Sequence, residues 1–313
     1  MRNKKVMLSA VVVLLVVVAI IINRRAVVSL QQTTDSEKMH VVASFYPLYY
    51  FATRIGSDKV DVTNITPAGA EPHEYEPTAQ DVARIESSDL LILNGGGLEA
   101  WGENISRNLD PQKTRIVIAG EALTTEEMEE DGKAMTDPHV WLSPKLAKTM
   151  VDRIAEGFVA AHAQDTAFFH ANAAALKADL DRLDTEYGKG LANCATKEIV
   201  TSHASFGYLA DAYGLHQTAI AGLSPDAEPS PRQLTDVAAF AKQNRVKYIF
   251  FESLVSPKLS ETIAAEIGAK TLVLNPLEGL TNDELNQGKN YLTEMKSNLV
   301  NLRIALACAT PLK

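Results

Sequence analysis

Three histidines lie in loops next to predicted strands, and each offers an imidazole that could bind a metal ion. His73 lies in a proline-rich loop (residues 67–77) after an alternating segment typical of a strand. His139 follows an Asp-Pro pair, and His203 follows a short apolar segment in the second half of the chain. A single loop histidine is usually a solvated or hydrogen-bonded side chain. Together the three are stronger candidates for a metal site, because a histidine next to a predicted strand occurs in both halves of the sequence.

A carboxylate completes this set of candidate ligands. Glu278 follows a predicted strand that ends near residue 274. Binding groups in open α/β sheets gather beyond the carboxyl ends of the strands, so the four side chains could meet at one point. Three imidazoles and one carboxylate suit tetrahedral Zn²⁺, whereas two carboxylates and two imidazoles would fit Mn²⁺ better. Spacing along the sequence does not by itself prove that the four residues converge.

A zinc hydrolase is an alternative interpretation of the same residues. A catalytic zinc keeps one position open for water and needs a general base, for which Glu74 and Glu252 are candidates. The chain has no His-Glu-x-x-His motif. Gly95-Gly96-Gly97 follows a predicted strand but matches no phosphate-binding pattern, so it is predicted to form a tight turn.

The elements that must position these residues alternate between strands and helices. Four strand-like segments lie between residues 40 and 118, and four more lie between residues 197 and 274. Alternating strands and helices form parallel sheets. We therefore predict an α/β protein with two (β/α) lobes, each built on a four-stranded parallel sheet.

Two helices are predicted to join the lobes. Ser143-Pro144 is a typical helix start, and a second, longer helix runs from near Asp165 to about Ala192. A helix of about 27 residues is roughly 40 Å long and can act as a rigid link. Two histidines in this region, His162 and His170, are predicted to have surface or packing roles. The predicted domains are the N-terminal lobe at 40–142, the helical linker at 143–194 and the C-terminal lobe at 195–313.

The beginning of the chain predicts export from the cytoplasm. Basic residues precede an apolar segment from Val6 to Ile22, which is the pattern of a signal peptide. No cysteine directly follows this segment, and no clear cleavage site precedes Arg24. Residues 1–39 are therefore either a cleaved signal peptide with a tether or an N-terminal membrane anchor. Both alternatives place the body of the protein in the periplasm or at the cell surface.

Charge and cysteine content narrow the class of protein further. The net charge of −9 at pH 7 argues against a nucleic-acid partner, because phosphate binding needs a basic surface. The acidic segment from Glu126 to Asp131 is predicted to be a solvated loop. The chain has two cysteines, Cys194 and Cys308. In an exported protein they could form a disulfide, and the alternative is two separate buried thiols.

Several motifs together resemble the zinc- and manganese-binding solute-binding proteins of bacterial ABC importers. The resemblance extends over residues 40–308. Its main motifs are Pro72-His73-Glu74-Tyr75-Glu76-Pro77, Asp137-Pro138-His139-Val140-Trp141, Ser202-His203-Ala204-Ser205-Phe206-Gly207-Tyr208 and Asn275-Pro276-Leu277-Glu278-Gly279-Leu280. It implies two (β/α) lobes, a long rigid linking helix and one metal ion at the interface of the lobes.

The resemblance also assigns roles to individual residues. His73, His139 and His203 match the metal-binding histidines of the family, and a histidine at the third position is typical of its zinc branch. Manganese relatives have a carboxylate at that position. Glu278 is the implied fourth ligand. The residues expected to support the ligands without binding the ion are Glu74, Ser202 and Glu252.

The implied function is an extracytoplasmic receptor that delivers Zn²⁺ to the membrane permease of an ABC importer. Such a protein would not be an enzyme, and it would act as a monomer. A Mn²⁺ receptor of the same family is the nearer alternative, and an exported zinc hydrolase is the more distant one. Cell adhesion is a further possibility at the level of the family.

Two features depart from the family pattern. Many zinc-binding members have a long His-rich loop before the position of Asp137, where this chain has the acidic segment and no histidine. A low-affinity zinc-collecting loop is therefore not expected. Many members from single-membrane bacteria are lipoproteins, whereas this chain lacks the lipidation cysteine.

Overall fold

The structure is a computed structural model, and it describes residues 38–130 and 133–309. The predicted export segment at residues 1–39 lies almost entirely outside the described residues, as does Asp131 of the acidic segment. Within the described ranges, no helix is both long enough and apolar enough to cross a membrane.

The N-terminal half contains a parallel sheet of four strands in the order β2-β1-β3-β4. The central strands β1 and β3 are mostly buried, which explains why they are continuous apolar segments rather than alternating ones. The elements are β1 (Met39–Ala43), α1 (Tyr46–Gly56), β2 (Val60–Asn64), α2 (Ala79–Ser87), β3 (Leu90–Leu93), α3 (Gly102–Asn108) and β4 (Arg115–Ile118).

The acidic segment does not form the predicted loop. It forms the first strand of an antiparallel hairpin, in which β5 (Glu127–Glu130) pairs with β6 (Lys133–Thr136). Met128 and Met135 lie opposite each other in this register, and both are exposed. The hydrogen bonds of a strand come from backbone groups, so a series of acidic residues does not by itself exclude one.

Two helices lead from the hairpin to the second half, as predicted. Helix α4 spans Pro144–Ala161 and begins with its proline in the first turn. Helix α5 spans Thr166–Leu191, and its 26 residues correspond to a length of about 39 Å. The buried side of α5 contacts α1, α4 and the last helix, α10 (Tyr291–Ala305). The long helix therefore packs against elements from both halves of the chain.

The C-terminal half repeats the plan with a second parallel sheet, in the order β10-β9-β7-β8. Capping boxes at Ser230, Thr281 and Asn290 start three of its helices. The elements are β7 (Glu198–Thr201), α6 (Gly207–Tyr213), β8 (His216–Ala219), α7 (Pro231–Gln243), β9 (Tyr248–Phe251), α8 (Lys258–Ile267), β10 (Lys270–Val273), α9 (Asn282–Asn286) and α10.

A disulfide joins Cys194 to Cys308. The first cysteine follows helix α5, and the second follows helix α10. The backbone pairs next to the disulfide, where the N–H of Ala309 donates to the carbonyl of Asn193 at 2.9 Å. The end of the described chain is thus attached to the segment that leads into the second sheet.

One continuous hydrophobic core extends through both halves. It includes Leu48 beside the first sheet, Phe158 and Leu180 in the connecting helices, and Leu274 and Leu299 in the second half. All five side chains are almost fully buried. This core crosses the predicted domain boundaries near residues 142 and 194. The division of the chain into three domains stays a prediction.

Candidate metal centre

His73, His139, His203 and Glu278 come together between the two sheets. One potential ligand atom from each residue lies within 4.8 Å of the others. Glu278 Oε1 is 3.1 Å from His139 Nε2, 3.2 Å from His203 Nε2 and 3.4 Å from His73 Nε2. His139 Nε2 is 3.3 Å from His73 Nε2 and 3.4 Å from His203 Nε2. The structure thus brings together all four residues that the sequence proposed as ligands.

These five distances are close to the edge lengths of a tetrahedral zinc site, and the sixth, between His73 and His203, lies within 4.8 Å. A regular tetrahedron with edges of about 3.3 Å has its centre about 2.0 Å from every corner, and Zn–N and Zn–O bonds have this length. The five distances therefore suit a zinc ion held by these four residues. Hard divalent cations with six or more oxygen ligands would need a different donor set.

Each of the four residues lies on a connection that follows a strand. His73 lies between β2 and α2, and His203 lies two residues after β7. Glu278 follows β10, and His139 follows the hairpin strand β6. Parallel strands end at the same edge of a sheet, so the two sheets present these connections to each other.

Two carboxylates orient the imidazoles of His139 and His203. His139 Nδ1 is 2.7 Å from Asp137 Oδ1, and His203 Nδ1 is 2.6 Å from Glu252 Oε1. The hydroxyl of Ser202 donates to the same oxygen of Glu252. A carboxylate that accepts the Nδ1 proton leaves the lone pair of Nε2 free for a metal ion. Ser202 and Glu252 thus lie where a supporting role was predicted.

Glu74 does not have its predicted supporting position. Its side chain is exposed, and Glu71 lies beside the ligands instead. Glu71 Oε1 accepts the backbone N–H of His73 at 3.2 Å. The bend at residues 72–74 keeps Glu71 and His73 on the inner side of the loop and places Glu74 in solvent. Burial beside the charge of Glu278 raises the pKa of Glu71 to about 9.

Glu71 and Asp137 were missed by the sequence analysis, although a repeated pattern marks both. Each is an acidic residue followed by proline and histidine, in Glu71-Pro72-His73 and Asp137-Pro138-His139. In both cases the carboxylate accepts the backbone N–H of the histidine two residues later. This local hydrogen bond fixes the loop at the ligand. The repeated acid-Pro-His pattern could therefore have identified both carboxylates from the sequence.

The loop of His139 is also anchored to the first sheet. The side-chain amide of Asn94 donates to the carbonyl of Pro138 at 2.9 Å, and Glu99 accepts the backbone N–H groups of Asn94 and Gly95. The three glycines at 95–97 have φ angles of +82°, +68° and +88°. Side chains other than glycine rarely adopt this region, so the tight turn predicted there depends on glycine.

The electrostatics of the site favour a bound positive charge. Burial alone would lower the pKa of His203, but the charges of Glu252 and Glu278 outweigh burial and raise this pKa well above its usual value. Burial alone would raise the pKa of Glu278, but its contacts with His203 and His139 lower that pKa well below the usual range. In the absence of a metal ion, a proton on His203 would balance the carboxylate. A divalent cation can replace that proton.

Access to the site lies beside His73. The side chains of the other three candidate ligands are fully buried, whereas that of His73 is 10% exposed. A cavity of about 350 Å³ borders this side chain and is also lined by Gly96, Met135, Pro138 and Leu223. Of the four candidate ligands, His73 is thus the one whose side chain is partly exposed to solvent.

Comparison with known proteins assigns the family. Residues 41–305 match the family described as zinc-uptake complex component A, periplasmic (ZnuA). The chain belongs to the ZnuA family. The resemblance proposed from the sequence motifs is thereby confirmed. The description of ZnuA as a component of an uptake complex also agrees with the prediction of a binding protein rather than an enzyme.

Two relatives show how far this similarity extends. The high-affinity zinc uptake system protein ZnuA of Bacillus subtilis is 40% identical over 282 residues, which cover 86% of this chain and 88% of that protein. The zinc-binding lipoprotein AdcA of Streptococcus pneumoniae is 39% identical over 277 residues. That match covers 85% of this chain but 55% of AdcA, so the chain spans about half the length of this relative.

A solved structure confirms the predicted fold class. The Zn(II)-bound ZnuA-like domain of S. pneumoniae AdcA superposes with a TM-score of 0.74 at 40% sequence identity. The match covers 86% of this chain and 99% of that domain. Two four-stranded parallel sheets joined by a long helix are thus the ZnuA fold, as the sequence predicted.

Proposed function

We propose that this protein is an extracytoplasmic zinc receptor that delivers Zn²⁺ to the membrane permease of an ABC importer. Its ligands would be His73, His139, His203 and Glu278. The observation that carries the proposal is the convergence of four donor atoms within 4.8 Å of one another, with Glu278 Oε1 and His139 Nε2 each 3.1 to 3.4 Å from the other three. The names of the relatives, a zinc uptake protein and a zinc-binding lipoprotein, support the choice of metal.

The donor set favours zinc over manganese. Imidazole is a borderline-soft ligand that suits Zn²⁺, and four donors complete its preferred coordination. Mn²⁺ binds better to sites with more oxygen donors. Glu71 lies beside the site, but its Oε1 accepts the backbone N–H of His73.

The same geometry argues against a hydrolase. A catalytic zinc needs an open position and a base that faces it. The two candidate bases do not meet this need, because Glu252 is bound to His203 and Ser202, and Glu74 is exposed to solvent. A closed shell of four ligands suits capture and transport of the ion.

The proposed location is outside the cytoplasm, in the periplasm or at the cell surface. The basic and apolar segment within residues 1–39 would direct export, as a cleaved signal or as an anchor. The disulfide between Cys194 and Cys308 is typical of proteins in oxidising compartments. We propose that the receptor acts as a monomer with the permease as its partner.

Replacement of a ligand tests this function. The substitution His203→Ala should weaken zinc binding by more than about 100-fold, because even residues that only orient metal ligands contribute 10- to 100-fold. Zinc affinity is measured by competition with a chromogenic chelator. His170→Ala is the matched control, since His170 lies on the linking helix α5 and its side chain is 48% exposed.

Equal zinc affinities of His203→Ala and the wild type would reject the assigned site. The choice of metal is tested by the increase in Tm of the wild type with Zn²⁺ and with Mn²⁺ at equal concentrations, because a tighter ligand stabilises the folded state more. We expect the larger increase with Zn²⁺. A larger increase with Mn²⁺ would assign the protein to manganese uptake.

A further inference from the structure

Tyr208 connects the two halves of the protein next to the metal site. It lies in helix α6, five residues after His203, and it is 5% exposed. Its hydroxyl donates to the carbonyl of Asp137 at 3.0 Å and accepts the backbone N–H of Glu126 at 3.1 Å. Both partners belong to the N-terminal half. One oxygen atom of the C-terminal half is thus held by two backbone groups of the other half.

The two partners of Tyr208 form the base of the β5–β6 hairpin. The N–H of Asp137 donates to the carbonyl of Glu126 at 2.9 Å, which closes the hairpin at that base. Asp137 also orients His139 through its side chain. A displacement of the hairpin base would therefore move the carboxylate that holds a ligand.

The hairpin base fits closely against the start of helix α6. A Cβ atom on Gly207 would lie 2.7 Å from Glu126 Oε2 and 2.8 Å from Asp137 Oδ2. Such contacts are too short for real Cβ atoms, so a larger residue here would displace the side chains of Glu126 and Asp137. Farther along the hairpin, Ala134 and Met135 line the cavity that borders His73. The hairpin thus extends from the Tyr208 hydroxyl to the accessible side of the site.

We propose that Tyr208 is a positioning residue that slows the release of zinc. Its hydroxyl would hold the hairpin base and Asp137 against the half that carries His203, and these two hydrogen bonds must open before the ion leaves. The inference rests on the proposed function, because it concerns release of the bound Zn²⁺.

Two other hydrogen bonds connect pairs of ligand segments in the same way. The Nε1–H of Trp141 donates to the carbonyl of Pro276 at 2.8 Å and connects the segments of His139 and Glu278. The N–H of Gly69 donates to the carbonyl of Leu280 at 3.1 Å and connects the loop of His73 to that of Glu278. Tyr208 supplies the corresponding connection between the segments of His139 and His203. Its contribution can be removed by deleting a single oxygen atom.

The substitution Tyr208→Phe tests this role. Zinc dissociation is followed by stopped flow after mixing the loaded protein with excess fluorescent chelator. We expect the dissociation rate constant to rise about tenfold, the effect of losing roughly one to two net hydrogen bonds. The association rate constant should stay within about twofold of the wild type, because most such changes affect dissociation. The visible absorption spectrum of the Co²⁺-substituted protein should be unchanged, since all four ligands remain.

A matched control lies at the other end of the same helix. The hydroxyl of Tyr213 donates to Asp184 Oδ1 on helix α5 at 2.9 Å, away from the metal site. Tyr213→Phe removes one hydroxyl hydrogen bond from α6 without touching the hairpin. Its zinc dissociation rate should equal that of the wild type. An equal increase in both variants would show a general effect on stability and overturn the proposal.

The remaining outcomes separate this inference from the proposed function. Failure of the wild type to bind zinc would reject the function itself. Zinc binding by the wild type with an unchanged dissociation rate in Tyr208→Phe would reject only the role of Tyr208. If the variant does not fold, amide hydrogen exchange of the wild type tests the role of Tyr208 instead. The amide of Glu126 should exchange more slowly with zinc bound, and equal exchange with and without zinc would overturn the proposal.

Discussion

At the scale of single residues, the candidate site depends on carboxylates that do not bind the ion. Asp137 and Glu252 each hold the Nδ1 of a histidine, and Glu71 holds the backbone of a third. The contacts with Nδ1 set which nitrogen of His139 and His203 faces the centre, and the contact with Glu71 fixes the backbone of His73. The candidate ligands are therefore already oriented before a metal ion is bound.

The substitution Asp137→Ala should weaken zinc binding by about 10- to 100-fold, because the ring of His139 loses the acceptor that orients it. The Tyr208 contact remains possible, since it uses the backbone carbonyl of Asp137. Zinc affinity is measured by chelator competition. Glu74→Ala is the control and should bind zinc like the wild type, because Glu74 is exposed. Weaker binding by Glu74→Ala would restore the role predicted from the sequence.

At the scale of elements, strand β7 separates the disulfide from the metal site. Strand β7 begins at Glu198, four residues after Cys194, and ends at Thr201, two residues before His203. The disulfide and the ligand thus lie at opposite ends of one strand. Helix α5 connects the two halves, and Cys194 lies just after the end of this helix. Changes in this region can alter stability without altering the ligands.

Replacement of both cysteines by serine should lower the free energy of unfolding by about 2–4 kcal/mol, because the disulfide restricts the unfolded chain. The two cysteines are 114 residues apart, so the closed loop is long. Denaturant unfolding of the metal-free variant and wild type measures the change, and wild type treated with reductant provides the control. Zinc affinity should be unchanged. A large loss of zinc affinity in the folded variant would contradict the separation of the two sites.

At the scale of the whole molecule, both halves share one hydrophobic core and meet at a group of buried charges. The core limits movement of the sheets relative to each other, and the hydrogen bonds from Gly69, Trp141 and Tyr208 connect the ligand segments. Without a metal ion, the buried charges depend on protons. The stability of the metal-free protein should therefore depend on pH.

The expected direction follows from the shifted pKa values. The pKa of His203 is raised, so its contribution to stability is complete below its usual pKa and is lost as the pH rises through the raised value. The pKa of Glu71 is also raised, to about 9, so its contribution to stability is likewise lost as the pH rises through that value. The pKa of Glu278 is lowered, so its contribution is present above the usual glutamate pKa and is lost as the pH falls.

The Tm of the metal-free protein should accordingly be highest near about pH 5 to 6 and should fall toward pH 9. Calorimetry of chelator-treated protein at a series of pH values measures this change. The decrease should be smaller in His203→Ala, which lacks the titrating ring. A Tm that stays constant from pH 6 to pH 9 would show that His203 holds no extra proton in the metal-free state.

Much of the fold followed from local patterns in the sequence. Apolar segments of strand length, capping residues such as Thr281 and the regular apolar stripe on helix α5 act over a few residues, so they can be recognised without a structure. The β5–β6 hairpin could not be recognised in this way. Its strands are held by backbone pairing and by Tyr208 from the other half, and neither leaves a periodic pattern in the acidic segment.

The sequence by itself determined the two α/β units, the family and the four candidate ligands, because these depend on local periodicity and on motifs of adjacent residues. Only the tertiary structure decided that one donor atom from each ligand lies within 4.8 Å of the others. It also decided that Glu71 rather than Glu74 lies beside them, and that Cys194 bonds to Cys308. The physical reason is the same in each case. Distances between side chains far apart in the chain depend on how the two sheets pack, and no short segment contains that information.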